Sequence, residues 1–89
     1  MTLRIDKWLW FARFCKSRSL AQSWIESGEV LLNGAVVDKC SAAIKIGDRI
    51  EMPRGKKLRH LVEVLKLAEG RGSAGDAADL YRSIDITTV

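Results

Sequence analysis

The apolar residues near the N-terminus recur at helical spacing. Ile5, Trp8, Leu9 and Ala12 fall at i, i+3, i+4 and i+7, which predicts a helix over Arg4–Phe14 with one apolar stripe. Trp10 and Phe14 sit four apart on another side, because each residue turns a helix by roughly 100°. Trp8 and Trp10 therefore cannot share a face, and large rings are costly to leave in water. Cover by the C-terminal segment is the expected solution. A second helix is predicted from Arg18 to about Ser27, with Ser17 as its N-cap and Leu20, Ala21, Trp24 and Ile25 as its buried stripe. Gly28 suits the left-handed position just past its end. The link between the helices is short, so they are expected to pack as a pair.

The period then changes. Val30-Leu31-Leu32 and Ala35-Val36-Val37 flank Asn33-Gly34, the strongest short-range signal for a hairpin. Gly47-Asp48 marks another turn. Ile50 and Met52 alternate with Arg49 and Glu51 as in a half-buried strand. Pro53 is expected to end that strand, and Arg54–Arg59 to form a basic loop holding His60 at its edge. Leu58–Leu67 fits either period; a strand is the better reading because it extends the same small sheet. Gly70, Gly72, Ser73 and Gly75 predict a loop, with Ser73-Ala74-Gly75-Asp76 in the form of a capping box. Ala77, Leu80, Tyr81 and Ile84 predict a final short helix. The expected fold class is α+β, with two packed N-terminal helices against a small, mainly antiparallel sheet. The expected division is residues 1–67 as the main unit and 68–89 as a loop and helix packed on it.

Composition narrows the class. The chain has 89 residues, which suits one small domain with a thin core. Arg4, Asp6 and Lys7 interrupt the first apolar residues, so no secretory leader is expected, and no run suits a membrane span. A cytoplasmic protein, monomeric and without a membrane partner, is the expectation. Cys15 and Cys40 are the only cysteines and His60 the only histidine. Those are too few soft ligands at the wrong spacing for a structural zinc site, so no metal and no cofactor are expected. The net charge is +4, unevenly spread. Residues 1–67 hold 13 basic and 7 acidic side chains, whereas 68–89 hold 2 and 4. The first part therefore favours a polyanionic partner.

The candidate chemistry is recognition rather than catalysis. The sequence lacks a telling carboxylate pair, a Gly-Lys phosphate loop and a nucleophile elbow, and His60 stands without an Asp, Glu or Ser at a revealing spacing. Lys16-Ser17-Arg18-Ser19 instead puts two cations and two hydroxyls where a helix start exposes unpaired N–H groups. Arg4 and Lys7 lie within one turn of each other and can face the same partner. Any one of these residues taken alone reads as an ordinary cap or a solvated charge. Their joint placement reads as a surface for backbone phosphates. A DNA-recognition helix is disfavoured, because the second helix lacks polar base-reading residues.

The motifs also carry a resemblance. Arg4-Ile5-Asp6-Lys7-Trp8-Leu9, Lys16-Ser17-Arg18-Ser19-Leu20-Ala21, then Ile25, Gly28, Val30, Asn33 and Gly34 resemble, in order and spacing, the RNA-binding domain named for ribosomal protein S-four. Gly47-Asp48 fits that family's later turn. Within it, the chain resembles the ribosome-associated heat-shock family of about fifteen kilodaltons, including at Val62–Leu65 and at Ala78, Leu80 and Tyr81. Those relatives usually continue into a long basic C-terminal extension, whereas this sequence stops at Val89 after a net-acidic segment. The resemblance implies an αL-motif fold and a non-enzymatic protein that binds structured RNA. The implied partner is large-subunit ribosomal RNA on free subunits holding a stranded nascent chain on tRNA, in ribosome quality control or the heat-shock stress response. It implies RNA contacts at Arg4, Lys7, Lys16, Ser17, Arg18 and Asn33, with Asp6 orienting the basic face. Ser19, Lys39, Lys45, Arg54, Lys56, Lys57 and Arg59 are weaker candidates, resting on charge or adjacency. The alternatives are a module docking a ribosomal or chaperone protein through its basic face, and a stand-alone relative of the domains appended to RNA-modifying enzymes.

Overall fold

A computed structural model describes residues 1–70 and 74–88. Ten elements follow in order: β1 (Leu3–Arg4), α1 (Ile5–Phe11), α2 (Arg18–Glu26), β2 (Leu31–Leu32), β3 (Ala35–Val36), β4 (Ala43–Ile44), β5 (Arg49–Arg54), β6 (Leu58–Val64), α3 (Ala74–Ala78) and β7 (Tyr81–Thr88). β1 and β4 form a two-stranded ladder, and the other strands form an antiparallel sheet in the order β3-β2-β5-β6-β7. The core lies between the helix pair and that sheet. Ile5, Trp8 and Leu9 of α1, Ala21 and Ile25 of α2, and Ile50, Met52, Val62 and Val64 of the sheet are all buried. Inward positions in β5 and β6 alternate with outward ones, as a sheet with one solvated face requires. Trp8 also donates from Nε1 to the Lys66 carbonyl at 3.0 Å, tying α1 to the segment after β6. Among the described residues, no helix is long and apolar enough to cross a membrane.

Both long helices end in the same way. In α2 the amides of Gly28 and Glu29 donate to the carbonyls of Ile25 and Trp24. Gly28 takes a φ of +74°, as a Schellman ending demands. In α1 the amides of Arg13 and Phe14 donate to Trp10 and Leu9 in the matching pattern. Here, however, the left-handed residue is Arg13, at φ +63°. A side chain at such a position costs about 1–3 kcal/mol. α1 is thus shorter than the Arg4–Phe14 its pattern predicts: Arg4 pairs with Ala43 in β1, and Arg13 reverses the chain. Ser17 does cap α2, its Oγ accepting from the Leu20 amide at 3.1 Å. The Asn33-Gly34 hairpin forms with both residues at positive φ, +52° and +89°, which suits the twist of the flanking strands.

Three local expectations are corrected. Pro53 does not end its strand. β2 covers β5 only at Ile50 and Glu51, so the missing N–H of Pro53 falls where β5 has a neighbour on one side alone, across from Arg59. The basic loop shrinks accordingly to a turn between Arg54 and Leu58, and His60 lies buried within β6 rather than in a loop. The stripe Ala77-Leu80-Tyr81-Ile84 is not one helix. α3 stops at Ala78, and the chain enters β7 at Tyr81, pairing along β6 with a bulge near Leu61/Val62. The β-branched run Ile84, Ile86, Thr87, Thr88 favours a strand, and β6 offers an edge for it. Phe14 is consequently covered by a strand and not by a helix: its ring meets Tyr81 at 4.5 Å and His60 at 5.8 Å. Trp10 instead lies against Phe11 at 5.7 Å. Gly72 and Ser73, hence the start of the capping box, lie outside the described residues.

Candidate nucleic-acid interface

Asp6 organises the basic surface. Its carboxylate is fully buried in the first turn of α1. Oδ1 accepts from Arg4 Nε at 3.1 Å and from the Lys7 amide at 2.8 Å. Oδ2 accepts from Arg4 Nη2 at 3.0 Å, Arg18 Nε at 3.2 Å and Gln22 Nε2 at 3.1 Å. Burial by itself would raise the pKa of this carboxyl. The hydrogen bonds from Gln22, Arg4 and Arg18, with the Arg18 charge, outweigh burial and hold it below the ordinary carboxylate value.

One carboxylate faces two guanidinium groups, so the cluster keeps a positive charge. Arg4 and Arg18 remain 43% and 35% exposed. A guanidinium has five N–H donors. Arg4 gives two of them to Asp6 and Arg18 gives one, so among the described residues three and four are left for an outside acceptor. The start of α2 lies beside this pair. Leu20 and Ala21 donate to Ser17, while the amides of Arg18 and Ser19 have no acceptor among the described residues. The start of α1 differs, because the amides of Ile5 and Asp6 donate to the Ala42 and Cys40 carbonyls. Of these two helix starts, the α2 terminus is the one left open to an anion among the described residues. Lys16, exposed at that terminus, has no ion pair among the described residues.

Other candidates lie elsewhere or are engaged within the protein. Lys7 lines a separate groove with Leu3, Phe11 and Leu67. Asn33, exposed, makes one internal bond at each end of its amide: Nδ2 donates to Asp48 at 3.2 Å, and Oδ1 accepts from the Arg49 amide at 2.9 Å. Asp48 is buried, which would raise its pKa, but the Lys45 amide, Asn33 and the Lys45 ammonium outweigh that and lower it. Lys45 reaches Asp48 at 3.4 Å, and Arg59 reaches Glu51 at 3.1 Å. Arg54 approaches His60 Nδ1 at 3.5 Å. Lys39, Lys56 and Lys57 are exposed with no ion pair among the described residues. Gln22 is the member that sequence reasoning missed. Its position four residues after Arg18, on the same helical face, is the signal that could have found it. Among the described residues no group of three or more His, Cys, Asp or Glu could hold a metal ion. Cys15 is buried, and burial pushes its thiol up to about 12.

Comparison with known proteins agrees with this geometry. The S4 domain model matches residues 3–50, spanning both helices, the Asp6 cluster and the hairpin. A heat shock protein 15 homologue from Aeromonas salmonicida is 43% identical over 93% of this chain and 61% of its own length. The chain thus spans about three fifths of the heat shock relatives it matches. The RQC P-site tRNA stabilizing factor of Streptococcus pneumoniae is 34% identical over 98% of this chain and 96% of its own length. The trimeric structure of Vibrio cholerae heat shock protein 15 superposes with a TM-score of 0.87 at 38% identity, over 94% of this chain and 83% of that one. The chain belongs to the S4 family of RNA-binding domains and is related to heat shock protein 15.

Proposed function

We propose that this protein binds structured ribosomal RNA on free large ribosomal subunits that hold a stranded nascent chain on tRNA, and acts there in rescue or quality control. The observation that carries the reading is the Arg4–Asp6–Arg18 cluster beside the open start of α2. A carboxylate that fixes two guanidiniums without cancelling them makes a preorganised phosphate clamp, and Arg binds phosphate bidentately. Lys16 and the hydroxyls of Ser17 and Ser19 extend that clamp along one short arc of backbone. Such a surface reads phosphate positions and shape, as folded RNA requires, since its narrow major groove hides the base edges. The Streptococcus relative, whose name records stabilisation of a P-site tRNA, supports the particle proposed.

Gradient fractionation of cell extract tests this. The protein is expected in the free large-subunit fractions, enriched when chains stall, and released by nuclease. Nuclease-resistant association would favour docking on a ribosomal or chaperone protein instead, and sedimentation with intact ribosomes alone would contradict the rescue role.

A further inference from the structure

The β5–β6 hairpin ends in a basic arm that the Asp6 cluster does not include. β2 pairs with β5 at Ile50 and Glu51 alone, while β5 and β6 stay paired out to Arg54 and Leu58. The outer half of the hairpin therefore has a neighbouring strand on one side, β7, which follows β6 to Thr88. Arg54, Gly55, Lys56, Lys57 and Leu58 are exposed, one after another, at its end. Gly55 takes the left-handed conformation of the turn, at φ +67°, so closing the hairpin asks for no lysine.

The charge of this arm is one-sided. From Met52 to Val62 the chain holds four basic residues and no acidic one. Glu51 takes Arg59 at 3.1 Å, and Arg54 Nη1 lies 3.5 Å from His60 Nδ1. Lys56 and Lys57 have no ion pair among the described residues. Across from Leu58 and Arg59, β7 offers Thr88 and Thr87, hydroxyls and not carboxylates; its acid, Asp85, stands further in, across from Leu61. A single exposed lysine is commonly just solvated, but a cluster without a balancing acid repels itself and favours a polyanion.

The position suits the same partner. Arg54 and Gly55 line one cleft, of about 440 Å³, with Phe14, which stands two residues before Lys16, and no Asp or Glu lines it. The arm and the approach to α2 thus border one hollow. The base of the arm is tied to β7, with His60 Nε2 2.7 Å from Ser83 Oγ. The arm also lies outside residues 3–50, the part of the chain that carries the S4 match.

Resting on the RNA-binding reading above, we propose that the tip of the β5–β6 hairpin is a second phosphate-binding point, where Lys56, Lys57 and Arg54 grip the backbone of the bound RNA apart from the clamp at α2. Ammonium groups act as point charges on phosphate, and the tip offers no aromatic ring or side-chain amide to read a base. The second point adds affinity and orientation, not sequence choice. Once the clamp has bound, contact at the tip is intramolecular, so the two points reinforce each other.

The test is the salt dependence of binding between the full chain and a folded ribosomal RNA fragment. Substituting Lys56→Gln and Lys57→Gln together removes two contacts. The logarithmic slope should fall by about 1.4–1.8 and affinity on the order of tenfold near physiological salt, with the melting temperature unchanged. Adding Lys16→Gln should lower the slope further, the losses summing. Lys66→Gln removes an exposed charge past the other end of β6 and should leave the slope as it is. If the double variant keeps the wild-type slope while Lys16→Gln lowers it, the arm proposal fails and the clamp stands. A loss in Lys66→Gln equal to that per lysine at the tip would show a diffuse positive field, and the proposal fails likewise. Unchanged RNA binding, with loss of a nuclease-resistant association, would assign the arm to an acidic protein instead. No RNA binding by wild type would remove the RNA reading, and this proposal with it.

Discussion

Replacing Asp6 by Asn removes the one charge around which the basic surface is arranged. The carboxylate is fully buried and accepts five hydrogen bonds, two from Arg4 and one each from Arg18, Gln22 and the Lys7 amide. Asn keeps the shape but offers a single acceptor oxygen, and turns an NH₂ group towards donors. Breaking a buried ion pair typically costs about 3–5 kcal/mol. Arg4 and Arg18 are 43% and 35% exposed and can recover water, so the cost falls below that range, at about 2–3 kcal/mol. In a domain of this size each kcal/mol moves the melting temperature by about 4–8 °C, giving a drop of about 10–20 °C. The pH dependence has a definite sign. The folded Asp6 pKa is lowered from an ordinary value of 3.8, so its stabilisation is complete above about pH 4 and is lost as the pH falls through the folded value. Wild type and variant should therefore converge in acid. Thermal melts from pH 7 down to pH 2.5 measure both effects. Binding of a folded RNA, measured below the variant's melting temperature, separates positioning from charge. The substitution raises the net charge by one, so a purely electrostatic surface would bind more tightly, whereas a positioned clamp binds more weakly. Tighter binding, or a melting temperature within about 2 °C of wild type, would refute the reasoning.

His60 is held neutral by burial and, secondarily, by the Arg54 charge, so its folded pKa lies below 6.5. The unfolded chain takes up a proton first as the pH falls. Stability should therefore decline from about pH 6.5 downward in urea melts, and His60→Gln should flatten that limb. Gly34→Ala should cost about 1–2 kcal/mol in the same assay: open space surrounds the added Cβ, so the penalty comes from the backbone at φ +89° alone.

The legible parts of this fold are those that local chemistry decides. The Ser17 cap, the Gly28 ending and the Asn33-Gly34 hairpin depend on a few neighbouring residues, and each stands where its residues put it. The C-terminal segment was misread because two periods overlap there. Ala77, Leu80, Tyr81 and Ile84 keep helical spacing, yet the exposed edge of β6 selects the strand in the following β-branched residues. Pro53 and His60 depended on register in the same way, since only the pairing of β5 with β6 shows which side of Pro53 lacks a neighbour and that His60 faces inward. At the interface, the cations were visible as charges, but their arrangement was not. Gln22 and Arg18 reach Asp6 across the α1–α2 contact, and Asn33 bonds Asp48, because folding brings together partners that are twelve or more residues apart.

The central claim, that cations around the start of α2 neutralise RNA phosphates, is tested most directly by the salt dependence of binding. Lys16 is the cleanest probe, since among the described residues it makes no ion pair whose loss would disturb the fold. Affinity for a folded ribosomal RNA fragment should fall steeply with salt, and Lys16→Gln should lower the logarithmic slope by about 0.7–0.9, the value of one phosphate contact. An unchanged slope in the variant, with the fold intact, would contradict the account.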